Sequence, residues 1–228
     1  MFLGHFAVAL ALKRAEPRIS LGTLCVAAEW VDIMWAIFLL LGLEHVEIAP
    51  GLLPACPLDF IDYPLTHSLV AGMIWAGLFG AAYYSWPTPD TSRHLKRTIA
   101  VMVAVWSHWF LDVVVHTPDL PVFGNDSTKL GLGLWRNLPA TIILETVLLA
   151  AGVYILLRKP SRQHPPRPGR ILLFAGVLYV LYLASLFGPP PPSVPALAAT
   201  ILVGSLFIFG LAVWADRPLK VEPQPRKP

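Results

Sequence analysis

Charged residues are scarce in this chain. They make up 14% of its 228 residues, and hydrophobic residues make up 56%, whereas about a quarter of the residues in a soluble domain are charged. This shortage of charge excludes a disordered chain, a coiled coil and an ordinary water-soluble enzyme. About 20 apolar residues make one membrane crossing, so the composition predicts a multi-pass membrane protein.

Several signatures of other protein classes are missing as well. The chain has only two cysteines, which is too few for a disulfide framework or a cysteine-based zinc or haem site. It has no glycine-rich phosphate loop and no Gly-x-Ser-x-Gly nucleophile elbow. The alternating segments of a transmembrane barrel and the inverted repeats of many transporters are absent too. Strands are therefore not expected, and the predicted fold class is all-α.

Six long apolar segments predict six transmembrane helices. Residues 2–12 are also apolar, but as a helix they rise only about 16 Å, roughly half of the bilayer core. We therefore expect a short N-terminal helix that either re-enters the membrane, bringing His5 toward the other polar residues, or lies in the interface. The six segments are about 19–43, 66–86, 98–116, 139–157, 170–187 and 195–215.

The positive charges predict the orientation. Of the 17 Lys and Arg residues, all but Lys129 and Arg136 fall in alternate loops and the tail. By the positive-inside rule these basic segments are cytoplasmic, and so are both termini. Their spread is a topology signal rather than a nucleic-acid patch, so membrane lipids are the expected partner and nucleic acid is not. Glu44, in the first outer loop, is expected to face water. The basic segments are 13–18, 87–97, 158–170 and the tail from 217.

The ionisable residues divide the chain into three parts. An unpaired acid or histidine inside a membrane is costly, yet such residues occur in all of the first four apolar segments and in neither of the last two. We therefore predict a membrane domain that carries the site at 1–157 and two scaffold helices at 158–216. Residues 217–228, which are proline-rich and charged, are predicted to form a disordered cytoplasmic tail.

The strongest functional signal lies in the third apolar segment. His108, Asp112 and His116 follow one another at intervals of four residues, so their side chains share one stripe of a helix. Neighbours at this spacing can bind one metal ion, but His108 and His116 are about 12 Å apart along the axis and cannot both bind the same ion. Asp112 could belong to either pair or bridge two ions. The alternative is a hydrogen-bonded polar stripe that joins helices.

Other ionisable residues are predicted to lie close to this stripe. If the third segment runs outward, His116 lies at its outer end, where His67 opens the second segment and Asp119 follows in the next loop. Glu145 lies about two turns into the fourth segment from the same side, and Asp32 lies near mid-depth in the first. We therefore expect a shared site in the outer half of the bilayer.

Five short motifs occur in order between residues 2 and 125. This series resembles the membrane-bound metal-dependent hydrolase family, whose bacterial members include LexA-regulated inner-membrane proteins. Its most specific parts are Thr-His-Ser-Leu and Ser-His-x-x-x-Asp. The resemblance implies a hydrolase in a bacterial inner membrane. The motifs are Gly4-His5-Phe6, Val31-Asp32-Ile33, Thr66-His67-Ser68-Leu69, Ser107-His108 with Asp112, and Thr117-Pro118 followed by a proline-containing loop.

The resemblance also implies a set of ligands for a divalent metal, either zinc or manganese. Two positions depart from the family's pattern. Met34 stands where the family usually has a second aspartate and cannot bind a hard ion, but Glu29 could compensate for it. Asp62 stands where the family usually has a histidine, and it can still bind a metal. The residues that match the family's polar positions are His5, Asp32, His67, His108 and Asp112.

Our first hypothesis is therefore a metal-assisted hydrolase. A bound divalent ion can lower the pKa of its water from 15.7 to about 7, which provides a nucleophile without a serine or cysteine. His67, His108 and Asp112 would bind the ion, with Asp32 or Asp62 completing the set. His116 or Glu145 would act as the general base or orient a ligand. The expected substrate is a lipid or lipid-linked ester reached from the bilayer.

Two alternatives remain open. The protein could be a small transporter in which the Asp/His stripe relays protons or binds a cation. It could also be a non-catalytic membrane protein whose polar residues only hold helices together.

Overall fold

The computed structural model describes residues 1–87, 91, 93–158 and 165–217. Helices account for 68% of this part of the chain, so the fold is mostly helical. Residues 218–228 of the predicted tail and residues 159–164 of the basic loop lie outside the described residues. The helices are α1 Leu3–Ala15, α2 Leu21–Ala28, α3 Trp30–Leu40, α4 Pro64–His67, α5 Leu69–Ser85, α6 His94–Val115, α7 Leu138–Leu157, α8 Pro168–Phe187 and α9 Val194–Asp216, with a 3-10 turn at Leu134–Arg136. The strands are β1 His45–Leu53, β2 Cys56–Asp62, β3 Leu120–Pro121 and β4 Lys129–Leu130.

Four helices, α6 to α9, are long and apolar enough to cross a membrane. This fits a multi-pass membrane protein, but the prediction of six spans is not confirmed. The first predicted span is divided into α2 and α3, which meet at an angle of 53°. The second corresponds to α5, a shorter apolar helix of 17 residues.

The N-terminal helix α1 lies inside the bundle, which is inconsistent with a helix lying flat in the interface. Leu3, Phe6 and Leu10 are fully buried. A Cβ on Gly152 of α7 would lie 2.8 Å from the Ala7 backbone, so this glycine allows the two helices to pack backbone against backbone. The N-terminus, predicted to be cytoplasmic, is likewise buried within the bundle in this structure.

The far end of α1 is joined to the end of α9. The Lys13 ammonium lies 2.8 Å from the Asp216 carboxylate and donates to the carbonyls of Pro17 and Ile19. The same carboxylate accepts a hydrogen bond from the Leu21 N–H at the start of α2. This contact fixes the direction of α1, whose first residues point to the opposite end of the bundle.

The expectation that the chain has no strands is wrong. Residues 45–62 form an antiparallel hairpin in which Val46 pairs with Phe60 and Ile48 with Leu58, and β3 pairs with β4 in a shorter ladder. The argument against strands considered a barrel, whereas a loop outside the helices can satisfy its backbone groups by local pairing. Val46 and Leu58 pack in a core cluster with Trp35 and Trp109, so the hairpin covers one end of the bundle.

The main core is continuous from the first helix to the last. A single cluster of buried residues contains Leu24 of α2, Val105 of α6, Phe174 of α8 and Ala212 of α9. The two helices of the predicted scaffold part therefore share their core with the part that carries the site. The predicted division at residue 157 falls between elements and does not separate two cores.

Candidate metal centre

Five of the predicted ligand residues meet where α1, α3, α4 and α6 approach one another. His108 and Asp112 lie one turn apart on α6, and Asp32 lies just after the break between α2 and α3. His67 ends the single turn α4, which begins at a proline, and the next residue, Ser68, caps α5 by accepting from the Ala71 N–H. The sharp change of direction after His67 leaves its side chain facing α6. His5 of α1 completes the group.

Four ligand atoms form a compact group. Asp32 Oδ1 lies 3.3 Å from His67 Nε2 and 3.7 Å from His108 Nε2. Asp112 Oδ2 lies 3.1 Å from His108 Nε2 and 4.0 Å from His67 Nε2. A tetrahedral ion with ligands at about 2.0–2.2 Å requires neighbouring ligand atoms to be about 3.3–3.6 Å apart. Asp32 and Asp112 are thus each close to both imidazoles, and the ligand atoms of His67, His108 and Asp112 all lie within 4.8 Å of one another, a grouping that could hold one divalent ion.

The break in the helix after α2 orients His108. The Ala28 carbonyl, at the end of α2, lies 2.9 Å from His108 Nδ1. Carbonyls in the last turn of a helix lack a partner within the helix, so Ala28 can accept the Nδ1–H of His108. Its Nε2 is then left with a lone pair that faces the two aspartates. This fixes the tautomer that metal binding requires.

His67 is oriented by a buried chain of hydrogen bonds. Its Nδ1 lies 2.8 Å from the Thr66 hydroxyl, which donates to Glu44 Oε2 at 2.6 Å. The Thr66 N–H donates to the other Glu44 oxygen. Because the hydroxyl proton goes to Glu44, the Thr66 oxygen accepts the Nδ1–H of His67. The Nε2 of His67 is then free to bind an ion.

The interpretation of Glu44 as a charge facing water is wrong. Its side chain is almost completely buried under the end of α3, where it receives both polar hydrogens of Thr66. Burial raises the pKa of Glu44 to about 7, although the hydrogen bonds from Thr66 oppose this shift. Sequence reasoning missed the role of Glu44, and it recognised Thr66 only as part of the Thr-His-Ser-Leu motif, without assigning it a contact.

His116 is held at the edge of the group by Asp119. Its Nδ1 lies 2.9 Å from Asp119 Oδ1, and its Nε2 lies 4.0 Å from Asp112 Oδ2. Tyr63 donates to the same Asp119 oxygen at 2.8 Å, and the Thr117 hydroxyl donates to the other. Burial disfavours the charged form of Asp119, but these donors, His116 foremost, hold its pKa below the usual value. His116 therefore presents Nε2 toward the cluster.

His5 has no conventional hydrogen bond within the described structure. Neither of its ring nitrogens has a hydrogen-bond partner, and the same is true of His108 Nε2 and Glu29 Oε1. Leaving a buried polar group unsatisfied costs about 1–3 kcal/mol. Such unpaired atoms around a cluster of carboxylates and imidazoles are the donor set expected for a bound cation, so the residues present fit a metal.

Two of the predicted site residues make contacts outside the group of candidate ligands. Glu145, predicted as a general base, accepts the N–H groups of Phe2 and Gly4 at 2.9 Å each. It thus satisfies unpaired donors at the start of α1 and positions that helix. Asp62, predicted as a ligand, does not join the cluster, because it ends β2 and lies 4.0 Å from His45, with both side chains exposed.

A cavity of about 370 Å³ lies over the cluster. Asp32, His67, Asp112 and His116 form its polar floor, and residues of α8 and α9 form much of its wall. The two helices predicted as scaffold therefore also shape the space above the site. No Lys or Arg lines this cavity in the described part of the chain, but Met1 does, and its N-terminal ammonium forms an ion pair with Asp112 Oδ1.

No family model, curated protein or solved structure matches this chain. The family resemblance therefore rests on the short motifs alone and stays a prediction.

Proposed function

We propose that the protein is a membrane-embedded hydrolase that depends on a divalent metal held by His67, His108, Asp32 and Asp112. The observation that supports this most directly is the spacing of the four ligand atoms. They come from three separate elements, α3, α4 and α6, and each carboxylate oxygen lies 3.1–4.0 Å from both imidazole nitrogens. Zinc and manganese both accept imidazole and carboxylate ligands.

A divalent ion at this position would supply Lewis acidity and lower the pKa of bound water toward neutrality. The side chains around it have separate tasks. Glu44 with Thr66, and the Ala28 carbonyl, keep the two ligand imidazoles in the required tautomer. His116, oriented by Asp119, holds a basic nitrogen at the cavity floor and accepts a proton from the attacking water. Apolar side chains around the cavity exclude bulk water.

We further infer six crossings in a bacterial inner membrane. The α2–α3 pair would form one broken span, and α5 would form another, since 17 residues rise about 25 Å. With the basic loops in the cytoplasm, the cluster lies in the outer half of the bilayer. There it is accessible to a lipid or lipid-linked ester.

Metal content tests the proposal. Protein purified without chelator should carry about one divalent ion per chain, measured by elemental analysis, and His108→Ala and Asp112→Ala should lose it. His45→Ala is the matched control, because His45 is 62% exposed and lies outside the cluster. A wild type that holds no ion and gains no thermal stability from zinc or manganese would overturn the proposal.

A transport assay tests the alternative function. Proton-driven uptake into proteoliposomes that is abolished by Asp112→Asn would support a transporter instead.

A further inference from the structure

Three arginines meet at the end of the molecule where α8 begins and α9 ends. Arg167 directly precedes α8, and Arg217 directly follows α9. Arg170, in the first turn of α8, has both of them as electrostatic neighbours. We call these three residues the arginine cluster. It lies at the end of the bundle opposite to the candidate metal centre.

Arg170 is held in a fixed position by Trp214 of α9. Its Cζ lies 4.6 Å from the centre of the Trp214 ring, which is a cation–π contact, and its Nη1 donates to the Trp214 carbonyl at 3.0 Å. These contacts join α8 to α9 and orient the guanidinium group. The hydrogen bond uses one of the five N–H donors of Arg170, which leaves the others to bind an anion.

The neighbouring acid does not neutralise the arginine cluster. Asp216, the last residue of α9, binds the Lys13 ammonium at 2.8 Å and accepts the Leu21 N–H. In the described part of the chain, the two charged side chains that act on Arg170 are both positive. Capping the end of α9 requires only one of the three arginines. Since like charges repel, a bound anion would stabilise the arrangement of all three.

The surroundings of the arginine cluster indicate that this anion belongs to a lipid. Because α8 and α9 are both long and apolar enough to cross a membrane, their ends lie at a membrane surface. Leu172 and Leu173, which follow Arg170 along α8, are both more than half exposed. A positively charged site next to an exposed apolar surface suits a phospholipid, whose phosphate and hydrocarbon chains lie at these two levels. The positive-inside rule assigns this end to the cytoplasmic leaflet.

We propose that Arg167, Arg170 and Arg217 bind the phosphate of an anionic phospholipid from the cytoplasmic leaflet. The planar guanidinium group matches two oxygens of one phosphate. Because the arginines come from both helices, the lipid holds α8 and α9 together at this end. The same two helices form much of the wall of the cavity over the His/Asp cluster. The lipid site does not depend on the proposed hydrolase function.

Three substitutions of arginine by glutamine test the proposal. Arg217 is exposed, so Arg217→Gln removes a charge without opening a cavity. Arg170→Gln removes the guanidinium that Trp214 orients. Arg158→Gln is the matched control, because it removes the same charge from the end of α7. The Arg158 guanidinium lies over the Tyr154 ring and is not an electrostatic neighbour of Arg170.

Native mass spectrometry measures the binding directly. The purified full-length protein in a neutral detergent is titrated with phosphatidylglycerol and, separately, with phosphatidylcholine. We expect the wild type to bind one phosphatidylglycerol in preference to phosphatidylcholine, whose choline group the arginines repel. Affinity should fall about ten-fold in Arg170→Gln and in Arg217→Gln, since each loses a charge-assisted contact with the phosphate. Arg158→Gln should bind as the wild type does, and phosphatidylglycerol should raise the Tm of the wild type.

Three outcomes would overturn the proposal. The first is equal affinity for the two lipids, and the second is an unchanged affinity for phosphatidylglycerol in Arg217→Gln, which remains decisive if Arg170→Gln does not fold. The third is displacement of the lipid by an equal concentration of glycerol phosphate, which would assign the site to a soluble phosphate. Metal content should be unchanged in all three variants, so failure of the lipid site and failure of the proposed function are distinguishable.

Discussion

His5 and His108 stack face to face, with ring centroids 3.8 Å apart and planes 2° apart. Their Nε2 atoms approach opposite oxygens of one carboxylate: His5 lies 3.3 Å from Asp112 Oδ1, and His108 lies 3.1 Å from Asp112 Oδ2. Two charged imidazoles at this separation would repel each other, so the stack disfavours charging both rings at once, and the neutral form is the one that binds metals. Asp112 thereby links α1 to the ligands on α4 and α6.

Replacing His5 by phenylalanine separates packing from chemistry at this stack. His5→Phe keeps a flat ring against His108 but removes the nitrogen that faces Asp112. Because Nε2 of His5 has no hydrogen-bond partner and lies beside the ligand carboxylate, its loss removes a nitrogen available to the ion, and we expect zinc affinity to fall about 10–100-fold. Titration of metal-free protein with a competing chelator measures this change. An unchanged affinity would mean that His5 contributes only packing.

The Thr66 hydroxyl should control the affinity of His67 for the ion. Thr66→Val keeps the shape of the side chain but removes the oxygen that accepts from His67 Nδ1. We expect zinc affinity to fall about 10–100-fold, measured by the same titration. Thr66→Ser retains the hydroxyl and should bind nearly as the wild type does. Equal affinities for the valine and serine variants would contradict the orienting role.

Glu44 should make stability depend on pH. Its folded-state pKa, raised by burial to about 7 from a usual 4.5, means that the folded protein favours the protonated carboxyl. The resulting stabilisation of the folded state is at most about 3 kcal/mol. It is fully present below about pH 4.5 and is lost as the pH rises to about 7. Glu44→Gln cannot titrate. The difference in Tm between wild type and Glu44→Gln should therefore fall between pH 4.5 and 7 and stay level above. A constant difference over this range would contradict the raised pKa.

Glu145 should matter for stability rather than for chemistry. Glu145→Ala removes the acceptor of two N–H groups at the start of α1, so we expect a loss of about 1–2 kcal/mol of unfolding free energy, seen as a lower Tm. Metal content should persist, because the four ligands lie on α3, α4 and α6. If the variant instead keeps its Tm and metal but loses all ester hydrolysis, Glu145 acts as a general base.

The parts of the site that depend on local spacing could be predicted from the sequence. The interval of four residues predicts that His108 and Asp112 share a helix face, and the 3.1 Å contact between them agrees. The same is true of Asp112 and His116, which lie 4.0 Å apart. Helix periodicity is a short-range property, so it can be recognised without knowledge of the tertiary fold.

The parts that depend on long-range packing could not be predicted. Glu44 reaches Thr66 only because the intervening residues fold back as a hairpin, and Asp62 is directed to His45 by the register of that hairpin. The role of Glu145 depends on α1, whose length is too short to cross a membrane but sufficient for burial inside the bundle. Hydropathy describes transfer into lipid and does not identify the protein surfaces that a segment contacts.

Asp119 provides the sharpest test of proton transfer. If His116 accepts a proton from water during ester hydrolysis, its Nε2 must be the basic nitrogen, which requires that Asp119 hold the Nδ1–H at 2.9 Å. Asp119→Asn weakens the preference for a proton on Nδ1 of His116, so we expect kcat to fall about 100-fold or more. Zinc content should stay near the wild-type level, because Asp119 lies outside the four ligands. Tyr63→Phe removes only the second donor to Asp119 and should keep most of the activity. Loss of the metal in Asp119→Asn would show instead that His116 is itself a ligand.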